Sequence, residues 1–340
     1  MKTLLAAKKI SETFADLSQE ECAEVFDEIM SGSVPEAAIS AFLVAQKMKG
    51  VSVGELVGAA KILRKKAAFI NAGVHSPVDT CGTGGDGLDT FNISTTSAFI
   101  ASGAGVCVAK HGGSAVSGKC GSADVLARLG FNTDASPAAM EYCLQENNIA
   151  FLFAPKMHPA WRYAMPVRRL LGFRTIFNML GPLVNPAGAT GQVLGVFSAK
   201  YTELFANALK LLGARRALVV HGGDGMDEIT ICAPTRISEL RNGSIKTYEF
   251  RPESVLGSLG SASDLRGGDP EYNAKKLLAV LRNEDKSGAR DVCILNSAAA
   301  IIASGICDDF PTACGLAKES LESGRALEKL EILIKFSKEK

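Results

Sequence analysis

The chain has 340 residues and a formal net charge of +1; 47% of its residues are hydrophobic and 6% are aromatic. A chain of this length exceeds a typical single hydrophobic core, so we expect two parts that include a sizeable α/β core. The basic run Arg64-Lys65-Lys66 is short and stands alone, so neither nucleic acid nor a membrane surface is favoured as a partner.

The first part of the chain, residues 1–70, predicts helices only. Three Ser-x-x-Glu patterns begin at Ser18, Ser33 and Ser52. In such a capping box the serine accepts from a free backbone N–H of the first turn, and the glutamate accepts from the N–H of the serine. Apolar residues then follow at helical spacing. The segment therefore predicts a small, all-helical domain.

From about residue 78 the pattern changes to short apolar runs separated by glycine-rich loops and helical stretches. Buried strands are predicted at residues 105–109, 149–154, 192–198 and 217–221. Their alternation with amphipathic helices, such as residues 201–212, indicates βα units and a largely parallel sheet. The sequence RNGS at residues 241–244 predicts a hairpin turn between two polar strands.

A glycine-rich loop at residues 79–87 contains the pattern G-x-G-x-x-G at Gly82, Gly84 and Gly87. A dinucleotide site also requires a helix that opens at these glycines and an acidic residue about twenty positions further on. Residues 90–123 contain neither aspartate nor glutamate. The dinucleotide interpretation is therefore disfavoured.

The same acid-free stretch is typical of a phosphate site. Asn92 is predicted to cap a helix whose free N–H groups and positive dipole end face the glycine loop. A second glycine-rich turn at residues 117–122 leads into another helix, and Lys110 and Lys119 supply positive charge. Either loop alone could be an ordinary tight turn. Together they favour a ligand that carries several phosphates.

A third loop, at residues 222–228, follows a predicted strand and contains the adjacent acids Asp227 and Glu228. The carboxyl ends of strands form the ligand crevice in open α/β sheets, and carboxylate oxygens there hold magnesium on substrate phosphates. An isolated acidic pair is more often a solvated surface feature. Beside a polyphosphate site, however, the pair predicts a Mg²⁺ cofactor.

The cysteines indicate neither a disulfide framework nor a zinc site. There are nine, scattered and without a C-x-x-C spacing. The N-terminal sequence MKTLLAAKKI has too short an apolar run for a secretory signal, and eighteen apolar residues never occur together. These features predict a cytoplasmic protein.

Several motifs together resemble one known family. The segments DTCGTGGDGLDTFNIST, KHG, GSADVL, HPA, VRRLLGFRTIFNMLGPLVNPA and GMDE are similar, in this order, to those of the anthranilate phosphoribosyltransferases. The resemblance implies the nucleoside phosphorylase/phosphoribosyltransferase fold and a homodimer. It places a small helical domain at residues 1–70, completed near 166–185, and a large α/β domain at 71–165 and 186–340. It also implies the second step of tryptophan biosynthesis, in which 5-phosphoribosyl 1-diphosphate and anthranilate give N-(5-phosphoribosyl)anthranilate and pyrophosphate.

The resemblance also implies individual site residues. For 5-phosphoribosyl 1-diphosphate they are Gly82, Gly85, Asp86, Thr90, Asn92, Ile93, Ser94, Thr95, Lys110, His111, Gly112, Gly113, Ser114, Ser117, Gly118 and Ser122. For anthranilate they are Gly82, His111, Gly113, His158, Arg168 and Gly181, and for the metal they are Ser94, Asp227 and Glu228.

Two of these assignments are not determined by the residues themselves. A carboxylate acceptor requires a planar, bidentate cation, but the sequence does not choose Arg168 over Arg162, Arg169 or Arg174. His111 and His158 could each accept a proton from the amine or be structural.

The chain departs from the family at one motif, because KHGGS stands at residues 110–114 where the family usually has KHGNR. The departure concerns the acceptor, so an enzyme for another aromatic amine is one alternative. A pyrimidine nucleoside phosphorylase is a second, and a magnesium requirement separates it from the transferase. A nucleic-acid-binding relative is disfavoured by the near-neutral charge.

Overall fold

The computed structural model describes residues 1–115 and 118–339. Four helices form the N-terminal part: α1 (Lys2–Thr13), α2 (Gln19–Met30), α3 (Glu36–Lys49) and α4 (Val53–Lys65). The capping boxes predicted at Ser18 and Ser52 are both present. The one predicted at Ser33 is wrong: Pro35 holds the cap position of α3, and the Ser33 hydroxyl pairs with that of Ser31 at 2.7 Å. Proline fixes φ near the helical value, so it sets the start of this helix.

The rest of the described chain alternates strands and helices. The strands are β1 (Val78–Asp79), β2 (Val108–Gly112), β3 (Ile149–Phe153), β4 (Gly191–Gly195), β5 (Arg216–Gly222), β6 (Thr235–Arg241) and β7 (Ser244–Phe250). The helices are α5 (Ile93–Gly103), α6 (Ser122–Arg128), α7 (Pro137–Asn147), α8 (Ala154–Met157), α9 (Met165–Leu171), α10 (Phe177–Leu180), α11 (Thr202–Leu211), α12 (Glu253–Leu256), α13 (Pro270–Leu281), α14 (Gly288–Ser304), α15 (Phe310–Glu322) and α16 (Arg325–Phe336).

The strands form one seven-stranded sheet in the order β3-β2-β1-β4-β5-β6-β7. The first five are parallel, and β6 and β7 are added antiparallel through the predicted hairpin. Asn242 and Gly243 both have positive φ, which the tight turn requires. The predicted fold class, a helical domain with an α/β domain around a largely parallel sheet, is confirmed.

Strand β2 begins three residues later than the predicted start at residue 105. Gly105 has φ of 101°, and Val106 N donates to Ala101 O at 3.1 Å, so these residues close the end of α5. Pairing with β3 starts only at Val108.

The buried apolar side chains fall into two clusters. One surrounds α14 and lies between the sheet and the C-terminal helices. The other joins α1–α4 to residues 164–184 and to α11. This packing agrees with a helical domain that is completed by a segment near residues 166–185. The exact domain bounds stay a prediction. In the part of the chain that the structure describes, each helix is too short or too polar to cross a membrane.

Candidate active site

A crevice of about 980 Å³ lies at the carboxyl ends of β1, β2, β4 and β5, and residues 165–182 form its opposite wall. Its position is the one at which open α/β sheets bind ligands. The predicted residues that line it are Gly82, Gly85, Asp86, Thr90, Asn92, Ser94, Lys110, His111, Gly112, Gly113, Ser114, Gly118, Ser122, Arg168, Gly181, Asp227 and Glu228.

Three predicted residues lie behind the crevice surface. Ile93 is in the hydrophobic core, and Thr95 is buried with its Oγ1 donating to Ser122 Oγ at 3.0 Å. His158 is also buried. Ser117 lies outside the described residues. The structure therefore brings most of the predicted set together around one space.

The first glycine loop is fixed to the end of β4. Thr83 N donates to Gly195 O at 2.8 Å, and a Cβ on Gly82 would lie only 2.9 Å from the same oxygen. Gly85 and Gly87 have positive φ. Among the described residues, the N–H groups of 85–87 have no protein acceptor. Successive free N–H groups of this kind form an anion-binding cradle.

Helix α5 starts at this cradle, but its cap differs from the prediction. The Asn92 side chain does not bond its own first turn. Instead its Nδ2 donates to Cys120 O at 3.1 Å, and its Oδ1 accepts from Asn273 Nδ2 at 3.0 Å. Asn92 thus ties the second glycine turn to α5. Ile93 N donates to Phe91 O at 2.7 Å, whereas the N–H groups of Ser94 and Thr95 have no acceptor among the described residues and are available for an anion.

Lys110 is the buried cation of the site, with 3% of its surface exposed. Its Nζ donates to Thr80 O and Thr80 Oγ1 at 3.2 Å and to Ser94 Oγ at 3.3 Å. Burial lowers its pKa. A cation held by neutral oxygens is suited to an anionic ligand. Lys119, by contrast, is exposed and paired with Asp89 at 3.2 Å, so its charge is already compensated.

Asp79, at the end of β1, is a buried carboxylate that the sequence did not single out. It accepts from His111 N at 3.1 Å and from Asn185 Nδ2 at 2.8 Å. Burial raises its pKa to about 6. Asn185 Nδ2 also donates to Ala109 O at 2.7 Å. These bonds hold the ends of β1 and β2 in register under the crevice.

Three carboxylates, those of Asp86, Asp227 and Glu228, offer oxygens within 4.8 Å of one another. Burial and the neighbouring charges raise the pKa of Asp227 to about 6 and that of Glu228 well above its ordinary value. Glu228 Oε2 is buried without a hydrogen-bond partner among the described residues. Hard oxygen ligands, mutual repulsion and an unpaired oxygen fit a divalent cation such as Mg²⁺. The sequence had missed Asp86 as a member of this group.

Two residues from other elements position the acidic loop. Asn296 on α14 donates to Ile229 O at 2.8 Å and accepts from Ile229 N at 3.0 Å. Gly195, at the end of β4, lies directly against the backbone of Asp227. Neither residue was predicted, because their partners are distant in sequence.

The opposite wall contains Arg168, whose guanidinium lies 5.6 Å from the Trp161 ring and 5.3 Å from the Phe177 ring. Burial lowers its pKa. Its Nη1 donates to Met165 Sδ at 3.4 Å, and within the described ranges it forms no ion pair. A desolvated, unpaired arginine is a receptor for a carboxylate.

The other arginines of this wall differ from Arg168. Arg162 donates to Tyr163 OH at 2.8 Å, and Arg169 is exposed. Arg174 is exposed and donates to Gly85 O. Arg168 is thus the one of the four whose guanidinium is both withdrawn from water and directed into the crevice.

Two histidines, His111 and His158, pack edge to face with ring centroids 5.0 Å apart, and the His158 ring lies 5.7 Å from that of Trp161. His111 Nδ1 donates to Gly181 O at 3.0 Å, so its Nε2 carries a lone pair, and that atom has no partner within residues 1–115 and 118–339. Burial lowers the pKa of His111 to about 4, and burial with the nearby His111 lowers that of His158 to about 3. Both rings are neutral at pH 7.

Gly113 leaves open space in the crevice. Among the described residues, nothing lies within 4 Å of a Cβ on Gly113, and its φ is not in the left-handed region. The backbone is also fixed, because Gly113 O accepts from Ala123 N at 3.1 Å. A side chain could therefore be accommodated here.

Comparisons with known proteins agree with this architecture. Residues 75–327 match a family model described as "Glycosyl transferase family, a/b domain", and residues 4–67 match "Glycosyl transferase family, helical bundle domain". The chain thus has the two-part construction of this class of glycosyl transferases.

Individual relatives narrow the class. The chain is 53% identical to the anthranilate phosphoribosyltransferase of Desulfatibacillum aliphaticivorans over 95% of this chain and 96% of that protein. The crystal structure of the Thermus thermophilus enzyme is 39% identical, with a TM-score of 0.92 over 98% of this chain and 99% of that one. The Saccharomyces cerevisiae enzyme in complex with PRPP and Mg is 27% identical, with a TM-score of 0.89 over 98% and 97%. The yeast enzyme also has a structure with 4-fluoroanthranilate. The chain belongs to the anthranilate phosphoribosyltransferase family.

Proposed function

We propose that this chain transfers the phosphoribosyl group of 5-phosphoribosyl 1-diphosphate to anthranilate, the activity of its family, with the crevice as the active site. The diphosphate lies on the free N–H groups of residues 85–87 and the start of α5. Lys110 and Ser94 support this placement, because the buried Nζ is held by neutral oxygens only. Asn92, Thr90 and Ser122 complete the cradle.

Magnesium is the cofactor, and Asp86, Asp227 and Glu228 are the carboxylates that hold it, with Ser94 as a further proposed ligand. When bound, Mg²⁺ neutralises the charge of the diphosphate leaving group. The carboxylates supply a second benefit. Without a cation the carboxylates repel one another. Binding of the metal with the substrate removes this repulsion and so stabilises the acidic loop at residues 222–228.

The acceptor carboxylate pairs with Arg168, and the amine points toward the ribose carbon. His111 Nε2 is the proposed acceptor of the amine proton, because it is neutral, unpaired and held in one tautomer by Gly181 O. The reaction needs no strong base. Orientation of the amine and stabilisation of the departing pyrophosphate carry the rate enhancement.

The observation that carries the proposal is the three-carboxylate cluster beside the phosphate cradle and the buried cation Lys110. Its test is the Asp227→Ala/Glu228→Ala variant, with loss of anthranilate fluorescence as the assay. We expect turnover to be abolished while the melting temperature without magnesium stays at or above that of the wild type, because the variant removes two buried carboxylates that repel each other. Near-normal activity in this variant would remove the cluster from the mechanism.

A panel of acceptors separates the alternatives. The wild type should consume 5-phosphoribosyl 1-diphosphate with anthranilate faster than with other aminobenzoates, and only with magnesium. A preference for another aromatic amine would favour a related transferase. Phosphorolysis of a pyrimidine nucleoside without magnesium would favour the phosphorylase.

A homodimer is the proposed assembly. Residues of α1 and α3 line an apolar groove of about 410 Å³, and Leu5, Phe14 and Met48 are exposed apolar side chains of this region. A second copy of the chain would cover this face. Sedimentation velocity tests it: Phe14→Glu should give monomers, whereas the control Val74→Glu, at a residue that is 97% exposed, should not. The nine free cysteines suit a reducing, cytoplasmic compartment.

A further inference from the structure

We propose that Arg174 is a positioning residue that clasps the diphosphate-binding glycine loop from the opposite wall of the crevice. The inference rests on the proposed function, because it assigns a role to a contact of the proposed diphosphate cradle. Arg174 belongs to the segment between α9 and α10, whereas Gly85 belongs to the loop after β1. Arg174 Nη2 donates to Gly85 O across this boundary.

The guanidinium of Arg174 is held in place by an aromatic ring. Its Cζ lies 4.4 Å from the centroid of Phe197, and Phe197 packs edge-on against Tyr201 at 5.0 Å. Phe197 N in turn donates to Thr83 Oγ1 at 3.1 Å. The glycine loop is therefore fixed at Thr83 by the end of β4 and at Gly85 by Arg174. A planar cation stacked on a ring is the group that can make both contacts at once.

The hydrogen bond from Arg174 to Gly85 O fixes the direction in which the N–H of Asp86 points. In a planar trans peptide the C=O of Gly85 and the N–H of Asp86 point in opposite directions. While Arg174 holds the oxygen on its side, the Asp86 N–H points away from Arg174. That N–H has no acceptor in the described chain, so it is free for a ligand. Gly85 has φ of 80°, and Gly84 and Gly87 also have positive φ. Because glycine backbones rotate readily, the peptide between Gly85 and Asp86 can turn at little cost once Arg174 is removed.

Arg174 forms no ion pair in the described part of the chain, and its side chain is exposed. Stability of the fold therefore does not depend on it. The contact with Gly85 O orients the glycine loop, so its loss should lower the affinity for 5-phosphoribosyl 1-diphosphate.

The test compares Arg174→Gln and Arg174→Lys with the control Arg169→Gln. Arg169 lies on the same wall and has the same charge, but it makes no hydrogen bond to the glycine loop in the described residues. We expect Arg174→Gln to raise the KM for 5-phosphoribosyl 1-diphosphate about three- to tenfold, the range for one lost hydrogen bond. The anthranilate KM should change less than about twofold. Arg174→Lys keeps a donor but not the stacking, so it should give an intermediate value.

Calorimetric titration with Mg²⁺ and 5-phosphoribosyl 1-diphosphate gives a second readout that does not require turnover. Affinity should fall by the same factor in Arg174→Gln and stay near the wild-type value in Arg169→Gln. The inference is overturned if both arginine-to-glutamine variants weaken binding equally, which would be a general charge effect, or if Arg174→Gln matches the wild type. A wild type that binds no 5-phosphoribosyl 1-diphosphate would instead refute the proposed function.

Discussion

Gly195 and Asp227 are in direct backbone contact: a Cβ on Gly195 would overlap the carbonyl oxygen of Asp227. The acidic loop can approach the glycine loop only because β4 ends in a residue without a side chain. Thr83 N bonds to the carbonyl of the same Gly195 at 2.8 Å. One glycine thus sets the distance between the phosphate cradle and the carboxylates.

The first prediction is that Gly195→Ala displaces the acidic loop. Overpacking at such a site costs about 1–3 kcal/mol, and a shift of about 1 Å in a catalytic group can lower the rate on the order of 100-fold. We expect a lower melting temperature and a loss of kcat/KM of that order. Gly315→Ala is the control, because Gly315 lies in α15 with no described atom within 4 Å of its Cβ position, and it should keep full activity. Normal activity in Gly195→Ala would show that the loop tolerates the displacement.

The second prediction concerns the cost of burying the Asp227 carboxylate beside the charge of Asp86. The pKa of Asp227 is raised to about 6, against about 4 in an unfolded chain. Between these values the folded protein binds more protons than the unfolded one, so its stability falls as pH rises through this window, and the penalty is complete above pH 6. Asp227→Asn removes this penalty.

Without magnesium, Asp227→Asn should therefore be more stable than the wild type at pH 8, by about 1 kcal/mol after allowance for partial solvent screening. Near pH 4 the two should be alike. Denaturant unfolding at both pH values measures this. Asp134→Asn, at a side chain that is 79% exposed and paired with Lys156, is the control for the loss of one surface carboxylate. Equal stability of Asp227→Asn and wild type at pH 8 would contradict the penalty from burial and neighbouring charge.

Features that depend on neighbouring residues could be predicted from the sequence, whereas contacts between residues far apart in the chain could not. The caps at Ser18 and Ser52 and the hairpin at 242–243 depend on neighbouring residues, and they were predicted. Asp86 joins Asp227 only because two loops, 141 residues apart, end at the same sheet edge. The residues next to Asp86 in sequence do not indicate that it contacts Asp227. The same applies to Gly195, which must be glycine because a side chain there would overlap the backbone of Asp227.

Local rules also failed where a tertiary partner competed. Asn92 stands at the predicted cap position, yet its amide bonds Cys120 O and Asn273 instead of its own helix. The four arginines of one wall are alike in sequence, and burial between Trp161 and Phe177 alone distinguishes Arg168. The location of the site was therefore predictable, whereas the roles of single side chains were not.

The third prediction is that Arg168→Ala raises the anthranilate KM about 10- to 100-fold, since a hydrogen bond to a charged group contributes about 1.5–3 kcal/mol. The KM for 5-phosphoribosyl 1-diphosphate should change little. Arg168→Lys should not restore the anthranilate KM, because lysine lacks the planar fork that pairs with a carboxylate. Steady-state kinetics with each substrate varied in turn measures the split, and equal effects on both would assign Arg168 to the phosphate side.

The last prediction concerns Gly113 and Ser114, where the chain departs from the usual family motif. An amide at position 113 has room, because no atom of residues 1–115 and 118–339 lies within 4 Å of the Cβ position and φ is not in the left-handed region. Restoring it by Gly113→Asn with Ser114→Arg adds a hydrogen-bonding group to the acceptor side. We expect the anthranilate KM to fall up to about tenfold, the value of one hydrogen bond, with little change for 5-phosphoribosyl 1-diphosphate. The matched control is Ser114→Arg alone, which adds the charge without the amide. If the double variant keeps its stability and leaves the anthranilate KM unchanged, the open space at Gly113 does not weaken anthranilate binding, and a bulkier aromatic amine becomes the acceptor to test against it.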